Sequence, residues 1–109
     1  MRLPFAEQAV VAEVKLTDYL LSYTHSEGRH KARFFFRIGF HSEDPSALRE
    51  VLLGLAADTD MLGSASPYGT KYVGVGQFVA PNGATVRLTT VWILRDNVPP
   101  PFLVTAYPG

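Results

Sequence analysis

Residues 70–95 read T-K-Y-V-G-V-G-Q-F-V-A-P-N-G-A-T-V-R-L-T-T-V-W-I-L-R, and their reading decides the fold. Two runs rich in valine, threonine and aromatics flank Pro81-Asn82-Gly83, a hairpin-turn signal, because asparagine and glycine accept the left-handed backbone such turns need. Residues 70–79 and 85–95 are therefore expected to be strands paired antiparallel. In the second run a period of two puts Val86, Leu88, Thr90, Trp92 and Leu94 on one face. Arg87, Thr89, Val91, Ile93 and Arg95 take the other. Trp92 is assigned to the core. Both faces carry apolar residues, so alternation leaves open which one meets the rest of the chain.

Toward the C-terminus, residues 96–101 are a proline-rich connection and 102–107 a closing strand, with Leu103, Thr105 and Tyr107 read as sharing a face. Toward the N-terminus, 66–69 are a turn and 61–65 a short strand. Before Asp60 the texture becomes helical. Leu48, Val51, Leu52 and Leu55 form one stripe over 46–57, with Pro45 suited to the first turn and Ser42 or Asp44 to the cap. Residues 14–22 read as a short helix, 23–28 as a loop, and 1–14 as an extended arm or short strand. Helices first and strands after give an α+β fold: two to three N-terminal helices on one side of a three- to four-stranded antiparallel meander. At 109 residues the chain is expected to be a single domain, 1–109.

Composition narrows the function. A 47% hydrophobic and 18% charged chain is that of a folded protein rather than a disordered tail. The formal net charge is zero, which argues against a general nucleic-acid coat but leaves room for a small basic site. With no cysteine there is no thiolate nucleophile, zinc knuckle or disulfide. No apolar run is long enough for a membrane span, and the first residues lack a signal-peptide pattern, so a cytoplasmic location is expected.

Charge is segregated in residues 24–38, T-H-S-E-G-R-H-K-A-R-F-F-F-R-I. They hold four of the ten basic residues and two of the three histidines. On a helical wheel Ala32, Phe34, Phe35, Phe36 and Ile38 share an apolar arc, while Arg29, His30, Arg33 and Arg37 share the opposite one. Lys31 falls inside the apolar arc, where an ammonium is costly unless something uses it. Gly39 follows as a C-cap.

The blocks L-P at 3–4, Y-L-L-S at 19–22, H-S-E-G-R-H-K-A at 25–32, Y-G-T-K-Y at 68–72, P-N-G at 81–83, T-V-W-I at 90–93 and L-V-T-A-Y-P at 103–108 resemble, in this order, a bacterial family of domains of unknown function. Its members stand alone or form the C-terminal ends of polymorphic toxins. The familiar form has proline after the first histidine, where this chain has Ser26. The family name implies no activity. Its toxin context, with helices before a meander, is similar to the barnase–EndoU–colicin–RelE group of metal-independent ribonucleases, a likeness of fold.

That likeness implies an RNA-cleaving toxin domain acting by 2′-hydroxyl transesterification, with a base for the 2′-hydroxyl proton and cations for the phosphate. His30 is the expected acid or base, with Lys31 and Lys71 stabilising charge and Thr105 or Tyr107 bonding the phosphate. Substrate contacts are expected from His25, Arg33, Arg37, Tyr68, Tyr72, Arg87 and Thr90. Only one of the pairs Arg87/Thr89 and Thr90/Trp92 can face a given site. Each has a plainer reading: a solvated basic helix face, a lysine snorkelling past the core edge, cross-strand aromatic packing. No cofactor and no metal site are expected, since no H-x-x-x-H or clustered carboxylate set occurs. The partners expected are RNA and a small acidic antitoxin or immunity protein. The alternative is that this chain is itself the non-catalytic antitoxin or immunity protein.

Overall fold

The computed structural model describes all 109 residues, Met1–Gly109. A 3₁₀ turn, Ala6–Gln8, precedes helix α1, Glu13–Lys15, which continues as a π-helical turn, Leu16–Leu20. Helices α2, Arg29–Arg37, and α3, Pro45–Asp58, follow. Then come β1, Leu62–Ser66, β2, Gly69–Val79, β3, Thr85–Arg95, and β4, Phe102–Pro108. The sheet order is β1-β2-β3-β4, all antiparallel, so the meander has four strands. No helix is long and apolar enough to cross a membrane.

The β2–β3 hairpin pairs without interruption from Gly69↔Arg95 to Val79↔Thr85. Its turn closes through Gly83, at φ 88°, and Asn82 Oδ1 accepts the Ala84 N–H at 3.0 Å. This turn docks on the end of α2, where the Asn82 N–H donates to the Ile38 carbonyl at 3.1 Å. There α2 stops in a Schellman motif. The Phe40 N–H reaches the Phe35 carbonyl at 3.0 Å and the Gly39 N–H reaches Phe36 at 3.1 Å, with Gly39 at φ 108°. The Phe35 and Phe40 rings, 6.0 Å apart, supply the apolar contact that accompanies such a cap.

One sheet face packs on the helices. Tyr72, Leu88, Trp92, Leu94, Leu103 and Ala106 join Leu16, Leu20, Phe35, Leu48, Leu52 and Leu55 in a continuous core. The opposite residues of the central strands, Lys71, Val73, Val75, Thr89, Val91 and Ile93, stay outside that cluster. Thr90 belongs to the core: it is 1% exposed and its Oγ1 accepts the Trp92 Nε1–H at 3.0 Å. Thr90 and Tyr72 are thus withdrawn from the substrate contacts expected of them, because both side chains face the helices. Thr90→Val is expected to cost about 1–3 kcal/mol in denaturant unfolding by orphaning a buried N–H, while leaving the other sheet face unaltered.

The closing strand corrects a second expectation. Leu103 pairs with Trp92, but Thr105, not Val104, pairs with Val91, so a β-bulge interrupts the alternation. Leu103 therefore enters the core, whereas Thr105 and Tyr107 stand on the opposite face beside Val91 and Thr89. The two edges of the sheet differ as well. Next to β4, Val10 forms a parallel bridge to Phe102, with bonds to Pro101 and Leu103 of 2.9 and 3.0 Å. All five residues of β1 are exposed.

Candidate functional site

A groove of about 450 Å³ opens where the α1 segment and the loop before α2 meet β4. Lys15, Asp18, Tyr19, His25, Glu27 and Thr105 line it, with Val14 and Val104 as its apolar wall. The bulge at Val104 is what turns Thr105 toward this side. The π-helical turn carries Tyr19 to meet it, and the Tyr19 hydroxyl and Thr105 Oγ1 share a hydrogen bond of 3.0 Å. One hydroxyl proton is spent in that bond, which leaves the other O–H free for a ligand.

Tyr19 is the hub. The His25 ring meets it edge-on, with centroids 4.9 Å apart and planes at 71°. The ammonium groups of Lys15 and Lys31 lie 5.3 and 5.5 Å from its ring centroid. This explains the misplaced lysine of α2: Lys31 sits in the apolar arc because it reaches an aromatic ring, which attracts a cation. Two like charges on one ring repel each other, and neither has a carboxylate within salt-bridge distance. The only ion pair in the molecule is Arg2–Asp60, 3.6 Å, at an exposed position.

His25 is positioned by the start of α2. Its carbonyl accepts the Arg29 N–H at 3.0 Å, and its Nδ1 accepts the N–H groups of Glu27 and Gly28, each at 3.0 Å. It therefore caps the turn that leads into this helix as serine or asparagine usually caps a helix.

The residues expected to act together separate into three groups. His25 and Thr105 line the groove, and Lys31 reaches the ring of Tyr19, which lines it too. Lys71, Arg87 and Tyr107 lie on the sheet face that Thr105 shares, with Lys71 opposite Ile93, Arg87 opposite Gln77 and Tyr107 opposite Thr89. By strand spacing, Lys71 is two strands, roughly 10 Å, from β4. His30, Arg33 and Arg37 are exposed on the outer side of α2, and Tyr68 is 77% exposed at the β1–β2 turn. His30 lines no groove, whereas His25 does. Sequence reading missed Lys15 and Tyr19. Their i, i+4 spacing was the available signal.

A second groove of similar size, about 470 Å³, lies between α3 and β2 and is lined by Glu50, Asp58 and Asp60. No cation lines it, whereas Lys15 stands beside Asp18 and Glu27 in the first groove. No three histidine, aspartate or glutamate side chains come together as a metal-ligand set.

Comparison with known proteins adds a family and a fold. The family described as a domain of unknown function, DUF6883, matches residues 2–109. No curated protein sequence matches. Among solved structures, the chain is similar to one described as a contact-dependent growth inhibition toxin–immunity protein complex from Klebsiella pneumoniae 342. The TM-score is 0.66 at 15% identity, over 92% of this chain and 99% of that one. At that identity the likeness is one of fold.

Proposed function

Because the chain belongs to the DUF6883 family, whose description carries no activity, we propose its function from the groove: it is a metal-independent ribonuclease domain of a toxin system. The observation that carries this reading is the meeting of an imidazole, two hydroxyls and two ammoniums, neither of them in an ion pair, around Tyr19, with Asp18 and Glu27 lining the same groove. In the reaction, the ribose 2′-oxygen attacks phosphorus as its proton leaves. A 2′,3′-cyclic phosphate forms, the bond to the 5′-oxygen breaks, and that oxygen takes up a proton. Charge accumulates on the non-bridging oxygens on the way. Lys15 and Lys31 oppose that charge, the free O–H of the Tyr19–Thr105 pair donates to it, and His25 stands beside it. Lys71, Arg87 and Tyr107 then offer contacts for the strand continuing across the sheet.

The likeness to a chain from a toxin–immunity complex supports a partner protein. In this reading the partner presents acidic side chains to the Lys15–Lys31 groove and blocks RNA. A second reading, in which this chain is the non-catalytic immunity protein or antitoxin, is favoured by one observation. Strand β1, L-G-S-A-S, is exposed throughout and carries no charge or proline to discourage pairing with another chain.

Induced expression in bacteria separates the two. The ribonuclease reading expects growth arrest with RNA degradation, relieved by Lys31→Met. Normal growth with intact RNA, together with protection against a co-expressed toxin, supports the second reading instead.

A further inference from the structure

We infer that His25 acts as a neutral hydrogen-bond donor to a phosphate oxygen through Nε2–H, and neither takes nor gives up the proton of the reaction. The role in cleavage rests on the ribonuclease reading. The placement of the ring proton and the binding of an anion do not.

A neutral imidazole has one N–H and one lone pair, and its neighbours decide which nitrogen carries which. Here two backbone N–H groups, those of Glu27 and Gly28, point at Nδ1 from 3.0 Å each. Nδ1 must offer its lone pair to them, so the proton is on Nε2. The assignment is built into the backbone, since those two amides belong to the turn that leads into α2 and the His25 carbonyl accepts from Arg29. The edge-on contact with Tyr19 holds the ring plane. Nε2 has no hydrogen-bond partner within the protein, and the ring lines the groove.

The usual roles of a catalytic histidine then fail on geometry. As a base, the neutral ring has only the Nδ1 lone pair, which faces the backbone. As an acid, the neutral ring would have to become an imidazolate. A doubly protonated ring would turn its new N–H toward two N–H donors and break the cap. What remains is Nε2–H, a donor fixed in place and available to an anion that Lys15, lining the same groove, also attracts. Proton removal from the 2′-hydroxyl then belongs to another group, and the carboxylates lining the groove are Asp18 and Glu27.

Two substitutions separate the cap from the donor. His25→Asn supplies an oxygen where Nδ1 stands and asparagine is a preferred cap, but it has nothing at the Nε2 position. His25→Gln reaches that position with an amide N–H but gives up the cap. The ¹⁵N spectrum of the wild-type imidazole should show Nε2 protonated and Nδ1 as an acceptor near neutral pH. Added inorganic phosphate should shift Nε2. His25→Asn should stay folded and bind phosphate about tenfold more weakly, while His25→Gln recovers most of the affinity in its folded fraction.

A proton on Nδ1, no response of Nε2 to phosphate, or wild-type affinity in His25→Asn overturns the inference. Intact RNA alongside the expected tautomer and affinities sinks the ribonuclease reading alone and upholds the donor. Cleaved RNA with the proton on Nδ1 does the reverse.

Discussion

Lys31→Met is expected to lower RNA cleavage by about 10²- to 10³-fold, the range for removing one donor aimed at charge that develops in a transition state. Methionine keeps the unbranched stem that packs in the apolar arc of α2 and removes only the ammonium. Stability should therefore change by no more than about 1 kcal/mol, since a cation over an aromatic ring contributes only about 0.5–1 kcal/mol at a half-exposed site. The ammonium is a candidate because it is 5.5 Å from the centroid of the Tyr19 ring, whose hydroxyl bonds Thr105, and it has no carboxylate within salt-bridge distance. A kinetic comparison on one RNA, with unfolding curves for both proteins, checks both halves. Equal rates would remove Lys31 from the chemistry.

Gly28→Ala should be the most damaging small substitution near the groove. Glycine is needed here for space and not for an unusual backbone: its φ is −77°, open to any residue. A Cβ would run into the Tyr19 carbonyl oxygen and come within 2.8 Å of the carbonyl carbon and 2.9 Å of Tyr19 Cδ1. Two of those atoms are backbone, so the π-helical turn itself would have to move. A cost of about 3 kcal/mol, at the upper end for overpacking, is expected. In a domain of this size that lowers Tm by roughly 15 °C. Tyr19 and Thr105 should part and phosphate binding should fall with them. Gly54 is the control. It lies within α3, an added Cβ there meets nothing within 4 Å, and Gly54→Ala should raise stability by about 0.5–1 kcal/mol. Calorimetry on the two variants should move in opposite directions.

What could be read from the residues divides by the range of the interaction. Strand β3 keeps the limits set by its period of two and its flanking turn, and Gly39 caps α2 as its position suggested, because local backbone preference decides both. The four-stranded meander follows from the same local signals. The bulge at Val104 has no such signal. In L-V-T-A-Y either face accepts valine, threonine or alanine, so only pairing with β3 shows that Leu103 and Thr105 part company. Which histidine lines a groove was illegible for a related reason. His30 shares a helix face with three arginines and looked like part of a charged site, yet charge on one face measures solvent exposure as readily as function. His25 sits in a loop, and nothing in its neighbours along the chain marks it. Its importance arises from a π-helical turn that brings Tyr19 against it and from two amides that hold its ring. Lys31 was the informative anomaly: a cation on the apolar side of a helix had to have a partner, and the partner is Tyr19.

The central claim is that side chains gathered around Tyr19 cleave a phosphodiester without a metal ion. Incubating the purified, folded protein with RNA in excess EDTA, and identifying the new ends, tests it directly. Fragments ending in 2′,3′-cyclic phosphate, lost in Lys31→Met, are the predicted result. RNA that stays intact, or is cut only when a divalent cation is restored, would contradict it.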